Sequence, residues 1–274
     1  MAANLTLTRR FVTGSLVMVL VCLITFYFPN WTFSLLASIM IGIAMMEFFN
    51  IIKRKNIVVY QYFGIIIGML VPIIIYFQMG TEGYFTLEPI FIVVACLFIF
   101  VLQFIRRDSS QALTSIAVTL FGLLYIAWLF SFFIKLKFLP NGTLLVLFLI
   151  LVTKTGDVGA YLIGSFFGKH NLIPRISPNK TIEGTVGGLI FSITTAVLSK
   201  SYLPSFPYGH LITLGVLLGI LGQVGDLAES LLKRDCGVKD SGANLSGLGG
   251  ILDLIDSLLF TTPIFYFYMV VLMR

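Results

Sequence analysis

The sequence predicts an all-α, polytopic membrane protein with nine transmembrane helices and a cytoplasmic N-terminus. Three observations carry that expectation. Apolar residues make up 58% of the 274-residue chain and charged residues 11%, with a mean hydropathy of +1.02, far outside the range of soluble domains. The apolar residues fall in runs about as long as the roughly 20 residues that a bilayer-spanning helix requires. Short turns, not folded domains, separate the runs, and the cations collect in alternate turns.

Taken in order, the expected spans are 11–28, 31–52, 57–77, 87–105, 112–138, 143–168, 182–200, 210–233 and 248–273. The first has no small-residue cleavage pattern before the second, so it reads as retained and not as a signal peptide. The second and fourth run into Lys53, Arg54 and Lys55 and into Arg106 and Arg107; the sixth and eighth run into Lys169 and into Lys233 and Arg234. Lys and Arg accumulate in cytoplasmic loops near helix ends. With the N-terminus inside, these cations and Arg9, Arg10, Arg175, Lys180 and Lys239 are all cytoplasmic. Only Lys135, Lys137, Lys200 and Arg274 fall outside, and Lys154 lies within a span. The net charge of +6 is then topological bias plus attraction to anionic lipid, with no part for nucleic acid.

Cysteine and histidine exclude two kinds of site. Cys22 and Cys96 fall in spans and Cys236 in an inner loop, which suggests neither a disulfide framework nor a thiolate cluster. His170 and His210 fall in loops at opposite faces, against a shared zinc site.

The carboxylates divide the chain. Residues 1–140 read as a scaffold of helices that face lipid or form the oligomer, with Glu47 as the one carboxylate within a span, placed to snorkel near Lys53–Lys55. Residues 141–274 carry Asp157, Glu183, Asp226, Glu229, Asp235, Asp240, Asp253 and Asp256, eight of the twelve acids. Ionisable groups in a span cost roughly 2.5–3.5 kcal/mol each on insertion scales, so they face a wet cavity, a partner or a substrate path. Interhelical ion pairing is the structural alternative, Lys154 with Asp157 and Lys233 with Glu229, but it leaves the other acids without counter-ions.

Asp226, Glu229 and Lys233 share one face of the eighth span, and Asp253 and Asp256 one face of the ninth. Asp226 and Asp253 are each within about two turns of the cytoplasmic end, so they can lie at one level. Converging carboxylates repel unless protonated or bridged, and hard oxygen ligands suit magnesium with substrate phosphates completing its shell. Before the seventh span, SPNKTIEGTVGG places Ser177, Lys180 and a capping Thr181 ahead of Glu183 and the glycines 184, 187 and 188. Such a helix start favours anions. Between the last two spans, Lys233, Arg234 and Lys239 precede Gly242, Gly247, Gly249 and Gly250, which could bring backbone N–H groups to phosphate. The soluble G-x-x-x-x-G-K-[ST] phosphate loop is absent.

These residues resemble the bacterial integral-membrane CDP-diacylglycerol synthases, or phosphatidate cytidylyltransferases. The family signature S-x-x-K-R-x-x-x-x-K-D-x-G-x-x-L-P-G-H-G-G-x-x-D-R-x-D is met by Ser230, Lys233, Arg234, Lys239, Asp240, Gly242, Leu245, Gly247, Gly249, Gly250, Asp253 and Asp256. SPNKTIEGTVGG and the Gly156–Asp157, Gly164 and Gly168 pattern also match, so the resemblance covers roughly 140–265. Ser246, Leu248 and Leu254 stand where the family has Pro, His and Arg, removing an imidazole and a guanidinium.

The resemblance implies that the phosphate of phosphatidate attacks the α-phosphorus of CTP at the cytoplasmic face of the bacterial inner membrane. It also implies a homodimer. Asp226 and Asp253 are the expected magnesium ligands, with Asp256 and Glu229 as further ligands or orienting groups. Asp157 would complete a second, monovalent cation site or balance Lys154. The catalytic set is then Asp226, Asp253, Lys233 and Asp256; Lys180, Arg175, Ser177, Arg234, Lys239, Asp240, Gly249 and Gly250 would hold the phosphates. Related CTP-dependent lipid enzymes, of polyprenol kinase or CDP-archaeol synthase type, would share such a site and differ in lipid product. A cation-coupled transporter would also use intramembrane acids, but its expected half-chain repeats are not evident. An inactive paralogue would keep the motif without turnover.

Overall fold

The structure is a computed structural model and describes residues 21, 23, 25–79, 87–106, 109–238 and 250–272. Its helices are α1 (Asn30–Lys53), α2 (Gln61–Met79), α3 (Leu87–Ile105), α4 (Ala112–Lys137), α5 (Gly142–Phe167), α6 (Ile182–Leu198), α7 (Tyr208–Asp235) and α8 (Ile251–Leu272). Among the described residues, eight helices are long and apolar enough to cross a membrane, and they coincide with the second to ninth expected spans. Of the first expected span, 11–28, only residues 21, 23 and 25–28 are among the described residues. Among the described residues the all-α expectation holds apart from one small antiparallel hairpin between α5 and α6. It consists of β1 (Asn171–Ile173) and β2 (Ser177–Thr181), with Asn171 opposite Thr181 and Ile173 opposite Ser177.

The chain forms two compact units. The first comprises Met1–Phe138 with Cys236–Leu254. Its core is the buried face of α1, with Ile41, Met45, Phe48 and Phe49, packed with Ile75, Ile99, Ile126 and Ile134 from α2, α3 and α4. Close approach of α1 and α2 depends on Gly68, where a Cβ would sit 2.2 Å from the Met45 sulfur. One turn of α4, Leu123–Trp128, widens to a π-helix. From its end the Trp128 indole donates to Glu88, which also pairs with Lys135. Glu47 is therefore not the one carboxylate held in a helix of this half: Glu88 is buried too, and pairing offsets the cost of its charge.

The second unit comprises Leu139–Asp235 with Ile255–Arg274. Small residues recur every fourth position on two facing helices: Gly156, Ala160, Gly164 and Gly168 along α5 and just past it, and Gly184, Gly188, Ser192 and Ala196 on α6. These stripes let the backbones meet, since a Cβ at Gly188 would lie 2.9 Å from the Gly156 carbonyl oxygen and one at Gly184 would lie 2.8 Å from that of Ala160. Gly215 and Gly219 do the same between α7 and α6, against Ile193 and Ser192. Gly184, Gly188, Gly215 and Gly219 thus serve packing within the chain.

Candidate active site

The site grows from the hairpin. Pro174 takes the second position of a turn closed by the Ile176 N–H on the Ile173 carbonyl at 3.0 Å, which sends the chain back toward α6. Thr181 caps α6 as its sequence position suggests, its Oγ1 accepting the Gly184 N–H at 3.1 Å. Glu183, in the first turn, reaches back: its Oε2 accepts the N–H groups of Lys169 and His170 at 3.1 and 3.2 Å, and its Oε1 meets His170 Nδ1 at 2.6 Å. At the far end, Arg234 Nε donates to the Ile176 carbonyl at 3.2 Å. Held at both ends, the hairpin presents Lys180 to α7, where its ammonium lies 2.6 Å from the Asp226 carboxylate.

Lys180 and Asp226 line a cavity of about 560 Å³ together with Asp157, Asn179, Thr185 and Gln223. Asp157 Oδ2 receives Lys154 at 3.0 Å and the Ser257 hydroxyl at 3.2 Å, and Ser257 in turn accepts from Lys154 at 2.8 Å. Next to Ser257, the buried Asp256 carboxylate accepts the Ser257 N–H. Gly225 allows α7 to lie against α8 here, since a Cβ would stand 2.5 Å from the Asp256 carbonyl oxygen. Glycine beside Asp226 is thus a packing requirement. The second unit therefore brings Asp157, Asp226, Asp256, Lys154 and Lys180 together from three helices and the hairpin.

The other sequence-expected residues fall elsewhere. Glu229 is buried and pairs with Lys233 at 2.7 Å, one turn apart on α7. Arg175 is exposed at the hairpin turn and Ser177 opens β2; neither is among the residues lining the cavity. Asp253 lies in the first unit, where its Oδ2 accepts the Gly250 N–H at 2.8 Å. Lys239, Asp240 and Gly249 lie outside the described residues, as do Ser246 and Leu248. Glu47 does not snorkel: it is buried, and its two oxygens accept the N–H groups of Ile251 and Leu252 at 3.1 and 2.9 Å. The start of a helix is a better partner for that carboxylate than the membrane surface.

The ion pairs of the structural alternative, Lys154 with Asp157 and Lys233 with Glu229, both form, but within single helices and not between helices. Sequence reasoning missed Tyr161, Ser165 and Gln223 as cavity-lining groups. A signal was present for all three: Tyr161 and Ser165 follow Asp157 at helical spacings of four, and Gln223 precedes Asp226 by three.

The donor set suits magnesium, which takes one or two carboxylates and leaves the rest of its octahedron to water and substrate phosphate. Asp157 and Asp226, on one cavity wall system, meet that requirement. Among the described residues no three acidic, His or Cys side chains gather into a closed cage for a metal ion.

The decisive comparison covers nearly the whole chain: residues 8–272 match the family model described as Cytidylyltransferase family. The chain belongs to the cytidylyltransferase family. Similar members are a phosphatidate cytidylyltransferase of Bacillus subtilis, 43% identical over 147 residues, which are 53% of this chain and 54% of the relative. Another, from Synechocystis, is 29% identical over 273 residues, covering 89% of this chain and 90% of the relative. An uncharacterized protein of Escherichia coli is 40% identical over 151 residues, 55% of this chain and 50% of the relative. The chain thus spans about half the length of the first and third of these relatives and most of the second.

Proposed function

We propose that this integral membrane protein is a CTP:phosphatidate cytidylyltransferase, making CDP-diacylglycerol and pyrophosphate for phospholipid synthesis. The observation that carries the reading is the Lys180–Asp226 pair on the wall of a roughly 560 Å³ cavity that Asp157 also lines, Lys180 and Asp157 each falling in a segment that matches the family pattern. Membership in the cytidylyltransferase family and the names of two relatives support it.

In the reaction, a phosphate oxygen of phosphatidate attacks the α-phosphorus of CTP and forms a new P–O bond. The bond from that phosphorus to the bridging oxygen breaks, and pyrophosphate leaves with the electron pair. Phosphatidate is already anionic near neutral pH, so the task is to bring two polyanions together in line and to balance charge, not to remove a proton. Lys180 is placed for this at the cavity wall, where it would exchange its carboxylate partner for a phosphate oxygen. The pair keeps both groups aligned when no substrate is present. Arg234 keeps the hairpin, and so Lys180, against α7. Lys154 and Ser257 hold the Asp157 carboxylate at a set orientation. Magnesium, when bound, would neutralise phosphate charge and orient the triphosphate, with Asp226 and Asp157 as its protein oxygens and Asp253 and Asp256 as the further acids of the motif.

The charge bias of the loops supports a cytoplasmic site in the bacterial inner membrane, where CTP is available. A homodimer, and a second, monovalent cation beside Asp157, complete the proposal. The test is incorporation of labelled CTP into lipid by purified protein given phosphatidate, with and without magnesium. A magnesium-dependent CDP-lipid supports it; a folded protein that yields another lipid product, or none, overturns it.

A further inference from the structure

Helix α8 begins with its polar groups already spoken for. The first four N–H groups of a helix have no partner within it, and in a membrane protein each needs one. Here the N–H of Gly250 goes to the Asp253 side chain at 2.8 Å, and those of Ile251 and Leu252 go to the two oxygens of Glu47 at 3.1 and 2.9 Å. Glu47 sits in α1, 204 residues away from Ile251 in the chain, and is 6% exposed. Leu252, at 1% exposure, is buried as deeply beside it. A buried carboxylate in a bilayer-spanning helix is costly unless its oxygens are engaged. Two backbone donors and the positive end of α8 supply that engagement.

The arrangement has a direction. Asp253 is the third residue of α8, and its carboxylate is oriented by the reach back to Gly250. That reach has a fixed geometry only while the first turn of α8 is itself fixed, and Glu47 fixes it. We propose that Glu47 is a positioning residue: it anchors the first turn of α8 and so sets the placement of the Asp253 carboxylate for the reaction. This rests on the proposed function in one respect, that Asp253 serves the chemistry. It also assigns the first N–H groups of α8 to the protein's own carboxylates and not to substrate phosphate.

The experiment compares wild type, Glu47→Gln and Glu47→Ala in detergent. Amide hydrogen exchange of the segment from Gly250 to Leu254 is read beside initial rates over series of magnesium and CTP concentrations. In Glu47→Ala the segment exchanges faster, kcat falls about ten- to a hundredfold, as for other groups that orient metal ligands, and half-saturation by magnesium moves to higher concentration. KM for CTP stays near that of wild type. Glu47→Gln, nearly isosteric and keeping one acceptor oxygen, falls between the two and carries the test if the alanine variant does not fold. Faster exchange with wild-type kcat and magnesium dependence would mean a structural cap alone and would overturn the proposal, as would unchanged exchange. If wild-type protein makes no CDP-lipid, the activity reading fails separately, and the exchange result still sustains or overturns the anchoring by Glu47.

Discussion

Lys180 and Asp226 are the side chains on which the proposed chemistry turns, and they are 2.6 Å apart although the sequence separates them widely. Neither charge is expendable if the cavity handles triphosphate. Lys180→Ala is expected to lower turnover about a hundredfold, the usual loss when one donor to a reacting phosphate is removed, with unchanged elution from a sizing column. Asp226→Asn should do the same and also weaken the response to magnesium. Wild-type rates in either variant would remove the pair from the site. Asp253→Asn should abolish turnover in folded protein, whereas loss of folded protein would assign Asp253 to the α8 cap alone. The partners in the i,i+3 and i,i+4 pairs, Lys154 with Asp157 and Lys233 with Glu229, were legible in the sequence, although as interhelical pairs, whereas helical geometry joins them within single helices. Lys180 with Asp226 was not, because nothing local specifies which loop meets which helix.

Helices and their ends behave as the sequence led one to expect, with one omission. Thr181 was legible as a cap because Ser, Thr, Asp and Asn ahead of an apolar run have a known use for their side-chain oxygens. Thr181→Ala should cost about 1 kcal/mol, seen as a lower melting temperature in detergent, and should loosen the hairpin that carries Lys180. The hairpin itself went unread. Its strands, Asn171–Ile173 and Ser177–Thr181, are too short and too polar to show alternation, and only Pro174 at the turn signalled a reversal. Glycine beside the acids was also ambiguous, since phosphate loops and close helix packing both use it. Gly225 is resolved as packing by its approach to the Asp256 backbone. Gly225→Ala should therefore destabilise the protein by about 1–3 kcal/mol, as overpacking does; a variant of normal stability but no activity would point to a ligand there instead.

Across the whole molecule, the charge bias makes a prediction that concerns sidedness. In a background without native cysteines, a cysteine at Lys55 should react with an impermeant thiol reagent only from the cytoplasmic side, and one at Ser205 only from the other. Reaction of both from one side would overturn the proposed orientation. Chelation of divalent metal should abolish CDP-lipid formation and added magnesium should restore it. By itself the sequence determined a predominantly helical membrane architecture, the positions of the second to ninth spans and the family, because hydropathy, span length and spaced motifs are properties of neighbouring residues. It also placed eight of the twelve acids in the C-terminal half. Only the tertiary structure decided what each acid touches: Asp226 a lysine from the hairpin, Asp157 a lysine and a serine, Glu47 the start of a helix 204 residues away. A carboxylate in a membrane must find donors wherever the fold brings them, and the pairing that relieves its burial is set by packing between distant segments, which no local pattern encodes.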